Sequence, residues 1–259
     1  MLVVTWNVNS LRARLPRVLQ LLAEHRPDVA CLQETKSAAD AFPAHELAAV
    51  GYGCIHHSAG RWAGVALLAR DGLGCDGAQL GLPGDSVPEE ARWCEATIAG
   101  TRFVSVYVPN GRSLDSPEYP RKLAFLDAAT ERIRELAAGG GPLIVAGDFN
   151  IAPADTDVYD PPAFVGGTHV SDAERARLAA ILDGGALVDA YRALHPDDVQ
   201  YTWWDYRAGH FHKGLGLRID LALVSAPLAG RLRECGIVRD YRKGVKPSDH
   251  APLLIRLAD

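Results

Sequence analysis

Apolar residues in this chain fall in short runs rich in β-branched side chains, at residues 2–6, 29–32, 64–69, 103–108, 143–146, 219–224 and 252–257. Their length and composition predict buried strands rather than helices. Helical periodicity appears between some of them. Leu11, Leu15, Val18, Leu19 and Leu22 share one apolar face, with Pro16 near the first turn. A second helix is predicted over 120–138, through Leu123, Leu126, Ile133 and Leu136. A third opens at Ser171 with Glu174 three residues on, a capping-box pattern, and runs to Leu182. Gly139-Gly140-Gly141-Pro142 marks a helix stop followed by a new strand, and each half of the chain holds several strands and at least one helix. Two sheets packed face to face with helices outside would bury such strands, although periodicity alone gives only mixed α and β. No linker-like tract interrupts the chain, so a single domain spanning residues 1–259 is expected.

Net charge changes the picture little. The formal charge of −5 argues mildly against a nucleic-acid partner. Local basic patches remain: residues 206–218 hold Arg207, Lys213 and Arg218 with no acid, and residues 239–246 hold four cations against Asp240 alone. Five scattered cysteines without a Cys-x-x-Cys pair offer neither a zinc knuckle nor a disulfide framework, and they suit a reducing cytoplasm. The N-terminus carries no signal-peptide pattern, and no apolar run approaches the roughly 20 residues that span a bilayer. A soluble, cytoplasmic, monomeric protein is expected.

Candidate chemistry clusters at the ends of the apolar runs. Asn7, Glu34, Tyr107, Asn110, Asp148 and Asn150 end or follow such runs, whereas Asp220, Asp249 and His250 lie at or near the start of others. Any one acid or amide there can be a turn residue bonding its own backbone. Together, hard oxygen and amide ligands with one histidine suit Mg²⁺-assisted phosphodiester cleavage. Glu34 is the leading metal ligand, because a carboxylate directly after a buried run needs a partner. A salt bridge to Lys36 or an arginine is the plainer alternative. Tyr201-Thr202-Trp203-Trp204-Asp205-Tyr206-Arg207 joins aromatics to cations, as nucleic-acid surfaces do, and strand alternation would put Trp203 and Trp204 on opposite faces. Residues 72–77 fit a dinucleotide fingerprint but open no helix, and are read as a loop. His56-His57 and His210-x-His212 lack a third soft ligand at zinc spacing and are read as surface residues.

Trp6-Asn7-Val8-Asn9, Leu32-Gln33-Glu34-Thr35-Lys36, Gly147-Asp148-Phe149-Asn150, Arg218-Ile219-Asp220 and Lys246-Pro247-Ser248-Asp249-His250 occur in an order that resembles the exonuclease III family of apurinic/apyrimidinic endonucleases. The resemblance runs from residue 2 to about residue 257. It implies a DNase I-like four-layer αββα sandwich. It also implies Mg²⁺-dependent cleavage of DNA 5′ to abasic sites and trimming of 3′ ends, with Mn²⁺ able to substitute. Asn7, Glu34, Asp148, Asn150 and Asp249 would form the metal's surroundings, with Glu34 and Asp249 ranked above the others. Asp148, with Asn150 beside it, would orient or deprotonate the attacking water. Asp220 would fix the tautomer of His250, which then stabilises the phosphate or itself acts as base. Tyr107 would reach the phosphate and Trp203 an extrahelical abasic sugar, while Arg207, Lys213 and Arg218 would contact duplex DNA. A phosphomonoesterase or lipid-headgroup diesterase of the same superfamily, and a catalytically inactive DNA-binding module, are the alternatives. Arg12-Ala13-Arg14 and the aromatic–basic segment favour the DNA enzyme. The loop at 163–170 is shorter than in some relatives, which leaves the endonuclease-to-exonuclease balance open.

Overall fold

A computed structural model describes residues 1–258. Its strands are β1 (Leu2–Asn7), β2 (Val29–Gln33), β3 (Tyr52–His57), β4 (Val65–Arg70), β5 (Cys75–Leu80) and β6 (Trp93–Ile98). They continue as β7 (Thr101–Tyr107), β8 (Leu143–Asp148), β9 (Leu187–Asp189), β10 (Asp220–Ser225), β11 (Leu232–Ile237) and β12 (Leu253–Leu257). One six-stranded sheet has the order β11-β12-β1-β2-β4-β3 and the other β5-β6-β7-β8-β10-β9. Each contains one parallel pair, β1 with β2 and β7 with β8, among antiparallel neighbours.

Side-chain alternation sorts each strand between two cores. Val3 of β1 and Ile144 and Ala146 of β8 belong to the cluster between the sheets. Val4 and Trp6 face instead the helix Leu11–His25. Leu143 and Val145 join the cluster that includes Phe125, Leu126 and Ile133 of the helix Glu118–Ala137, with Leu178 and Ile181 of the helix Asp172–Gly185. The result is the four-layer helix–sheet–sheet–helix arrangement. It explains the unbroken apolar runs, since central strands here are covered on both faces.

The three predicted helices are present, and Ser171 and Glu174 form the capping box. Five strands, β3, β5, β6, β9 and β11, carry no apolar run of the predicted kind. Four of these, β3, β5, β9 and β11, are the edge strands of the two sheets, where partial exposure admits polar residues. In β6 the run is broken by Glu95, which is buried between Arg102 and Arg132. The segment read as a loop at 72–77 is partly strand, because β5 begins at Cys75, although no helix follows it. The seam at 139–142 does separate helix from strand, but β7 before it and β8 after it are neighbours in one sheet. Among the described residues no helix is long and apolar enough to cross a membrane.

Strand register brings the chemistry to one end of the sandwich. Asn7 pairs with Gln33, next to Glu34, while Tyr107 and Asp220 both pair with Asp148. Gly147 makes that register possible, since a Cβ there would lie 1.9 Å from the Val106 carbonyl oxygen.

Candidate active site

Asp148 is the hub. Its Oδ2 accepts from Asn7 Nδ2 at 2.9 Å, its Oδ1 from the Asn150 amide at 2.9 Å, and His250 Nε2 stands 3.8 Å from Oδ2. Burial pushes the Asp148 carboxyl up to about 7, with the charges of Asp220 and Glu34 adding to the rise and His250 opposing it. Asp220 Oδ2 lies 2.8 Å from His250 Nδ1. Burial disfavours charge on that imidazole, but Asp220 and Asp148 outweigh it and hold the His250 pKa up at about 10. The Thr202 hydroxyl takes hydrogen bonds from the amides of Ile219 and Asp220 at 3.1 Å, fixing the carboxylate at its strand start.

Asn7 also donates to Glu34 Oε1 at 2.7 Å, so one amide bridges a carboxylate from each sheet. Lys36 Nζ approaches Glu34 Oε2 at 2.8 Å, the salt bridge anticipated as the plainer reading. Glu34 nevertheless remains at the site, since ligand atoms of Glu34, Asp148 and His250 lie within 4.8 Å of one another. The two carboxylates, facing one point, fit a divalent cation, whereas the cationic imidazole beside them offers no lone pair to it. Asp249 is not part of that triplet. Its carboxylate instead accepts from Trp203 Nε1 at 3.1 Å and Asn9 Nδ2 at 2.9 Å. Tyr107 is half-buried beside Glu34, and loss of water around the hydroxyl, followed by that carboxylate, raises its phenol well above the usual range.

A cavity of about 170 Å³ opens among these groups, lined by Glu34, Tyr107, Asn110, Asp148, Asn150, Asp249, His250 and Trp203. Trp203 is partly buried against it while Trp204 is in the core, although the segment is no strand and Trp203 makes only isolated bridges, to Leu217 and His250. Lys213 and Arg207 are exposed, with the Arg207 guanidinium paired to Asp205 at 2.6 Å. Arg218 requires a correction. Its guanidinium is fully buried, 2.7 Å from both Asp157 and Asp189, and has no face left for a phosphate. The acid-free stretch 206–218 concealed two acids supplied by distant segments.

Two contributors, His169 and Asn9, had no assigned role from sequence. His169 lines the cavity and bonds the Asn150 carbonyl through Nδ1 at 2.6 Å; burial, then the Lys122 charge, lowers its pKa to about 4. Asn110, a run-end amide that by itself could have been only a turn residue, donates Nδ2 to Asn150 Oδ1 at 3.1 Å. Asn9 joins Asp249 to Lys36, accepting from Lys36 Nζ at 2.6 Å. Only the repeat in Trp6-Asn7-Val8-Asn9 hinted at it.

The chain matches the Endonuclease/Exonuclease/phosphatase family over residues 4–250. It belongs to that family. Within it, the chain is 33% identical to Exodeoxyribonuclease III of Haemophilus influenzae, covering 96% of this chain and 97% of that protein. A 3′-5′ exonuclease (NExo) from Neisseria meningitidis superposes with a TM-score of 0.97 at 40% identity, covering 100% of both chains. A second structure, of the 3′ phosphatase NExo from Neisseria bound to product DNA hairpin, gives 0.96 at 40% identity, again covering 100% of both chains. An AP endonuclease from Archaeoglobus fulgidus gives 0.95 at 33% identity with the same coverage. The exonuclease III/AP endonuclease group of phosphodiesterases is therefore the branch to which this sandwich belongs, and its fold is DNase I-like.

Proposed function

We propose that this chain is a Mg²⁺-dependent DNA repair nuclease that hydrolyses phosphate esters at 3′ ends and, more weakly, the phosphodiester 5′ to abasic sites. The observation that carries the reading is Asp148, held between Asn7 and His250 where the two sheets meet. Held in this position with its carboxylate lining the cavity, Asp148 suits a general base. Asp148 takes the proton of the attacking water, with Asn150 aligning it. His250, held cationic with its Nδ1–H on Asp220, stabilises charge on the phosphate rather than serving as the base. The Tyr107 hydroxyl stays protonated and contributes a further donor.

Glu34 and Asp148 would hold the cation, with Asn7 and Asn150 beside them and Asp249 further out, tied to Asn9 and Trp203. When bound, a divalent ion neutralises charge on the non-bridging and leaving oxygens. An all-oxygen surround with a single imidazole suits Mg²⁺, and Mn²⁺ would substitute.

Priority for 3′ ends rests on two observations. Identity is higher to the Neisseria 3′-5′ exonuclease, 40%, than to the Archaeoglobus AP endonuclease, 33%. The cavity of about 170 Å³, with His169 and Trp203 in its wall, is also smaller than the ~300–1,000 Å³ typical of enclosing ligand pockets. A small, polar recess of this kind suits a terminal phosphate. The site is complete within one chain, which supports a monomer, and five free cysteines support a reducing, cytoplasmic setting. We read residues 1–259 as one catalytic domain, since both sheets supply the site. Rates on 3′-phosphate ends, recessed 3′ ends and an abasic duplex, measured side by side, test the order of preference. Equal or greater turnover of the abasic duplex would reverse it.

A further inference from the structure

We propose that the buried ion pair of Lys122 and Glu174 positions Asn150 and Asn110 at the active site by holding their backbone carbonyls. This rests on the nuclease reading above, in which Asn150 is a site residue.

Neither side chain has solvent exposure, and Lys122 Nζ lies 2.5 Å from Glu174 Oε1. Lys122 occupies the apolar stripe of the helix Glu118–Ala137, in register with Phe125, Leu126, Ala129 and Ile133. A lysine in such a stripe must be desolvated, and a well-packed apolar side chain would generally stabilise the fold as well or better. Fold stability alone therefore gives little reason for the pair. Its hydrogen bonds supply one.

Lys122 Nζ donates to the Asn150 carbonyl at 2.7 Å and to the Asn110 carbonyl at 3.2 Å. These are the two asparagines whose side-chain amides meet at 3.1 Å beside Asp148. Asn150 adopts the left-handed region, with φ +51°, which an asparagine tolerates but a loop must hold. His169 Nδ1 is the second donor to the same Asn150 carbonyl. Glu174 fixes that histidine too, accepting from the His169 amide at 3.0 Å and from the Thr168 hydroxyl at 2.8 Å. The other Glu174 oxygen closes the helix cap, taking the Ser171 amide at 3.0 Å and its hydroxyl at 2.7 Å. One ammonium and one carboxylate thus anchor the loops that carry Asn110, Asn150 and His169. An apolar pair in their place would leave the two asparagine carbonyls without this donor. Lys122 and Glu174 touch no cavity atom themselves, so they are positioning residues.

The test is steady-state kinetics of the double variant Lys122→Met/Glu174→Gln on a 3′-phosphate-ended duplex with Mg²⁺. The neutral pair leaves no uncompensated buried charge, and glutamine keeps an acceptor for the cap. The expected result is a kcat at least tenfold lower, with KM within threefold of wild type. Lys122→Leu/Glu174→Gln, equally neutral, should show the same split and decides the matter if the first double variant does not fold. Glu95→Gln/Arg132→Met neutralises another buried contact and should spare kcat whatever it does to the melting temperature. Wild-type kcat in either folded double variant at Lys122 and Glu174, or an equal kcat loss in the Glu95/Arg132 control, would overturn the proposal. Turnover by the wild-type protein in the same assay tests the nuclease reading separately.

Discussion

Asn7 Nδ2 donates to Asp148 Oδ2 at 2.9 Å across the boundary between the two sheets. Asn7 ends β1 of one sheet and Asp148 ends β8 of the other. As the proposed base, Asp148 is anchored from both sides, and such precision of placement is worth much of a barrier. Asp148→Asn should therefore lower kcat by at least ~10²-fold while duplex binding survives, the scale of a lost general base. Single-turnover rates alongside equilibrium binding check this. A wild-type rate would remove Asp148 from its role, and a matched loss of affinity would make it a binding group.

The same carboxyl should destabilise the cation-free protein at alkaline pH. Its folded pKa, about 7, lies above the ordinary ~3.9 of an unfolded aspartate. The folded state thus favours the protonated form, an advantage complete below ~3.9 and lost as pH rises through 7. Asp148→Asn escapes that loss. In excess chelator, its unfolding free energy relative to wild type should rise between pH 5 and 8, by on the order of 1–3 kcal/mol. Denaturant titrations at both pH values measure it. A flat difference would mean that the carboxylate's charge is already compensated without a cation.

Arg218 and Lys213 should separate cleanly. Arg218→Ala leaves Asp157 and Asp189 short of a buried cation, and removing one member of such a network typically costs about 3–5 kcal/mol. Lys213 is exposed, and Lys213→Ala should leave the melting temperature unchanged while weakening duplex binding and reducing its salt dependence. Thermal melts and binding at two salt concentrations test the pair. A stable Arg218→Ala protein with a reduced salt slope would return that residue to the DNA surface.

How far the chain could be read from sequence follows the same division between local and distant partners. Strands covered on both faces, such as β1, β2 and β8, announce themselves as apolar runs, and the residues at their ends, Asn7, Glu34 and Asp148, do converge. Edge strands such as β5 carry no such signal. Arg218 read as a surface cation because its acids lie 61 and 29 residues away. Glu174 was legible as a helix cap but not as the partner of Lys122, 52 residues off. Lys122 did leave a trace, as a lone cation on an apolar helical stripe.

Trp203 combines two tasks, since its indole lines the cavity and its Nε1–H holds Asp249 at 3.1 Å. Trp203→Phe keeps the ring and loses only the donor, whereas Trp203→Ala loses both. The alanine variant should lose about 1–3 kcal/mol of discrimination among DNA ends, by analogy with base–aromatic contacts. The phenylalanine variant should keep most of it. Specificity constants on phosphorylated, hydroxyl-terminated and abasic duplexes decide, and identical behaviour of the two variants would assign the effect to Asp249 rather than to the ring.

In the proposed mechanism, Glu34 and Asp148 hold a divalent cation for hydrolysis of DNA 3′ ends. The most direct measurement is release of inorganic phosphate from a 3′-phosphate-ended duplex by wild type and Glu34→Ala, each with Mg²⁺ and with excess chelator. The expected result is rapid release by wild type with Mg²⁺ alone, and almost none by Glu34→Ala even though it folds. Full turnover in chelator, or a Glu34→Ala protein as active as wild type, would contradict the account.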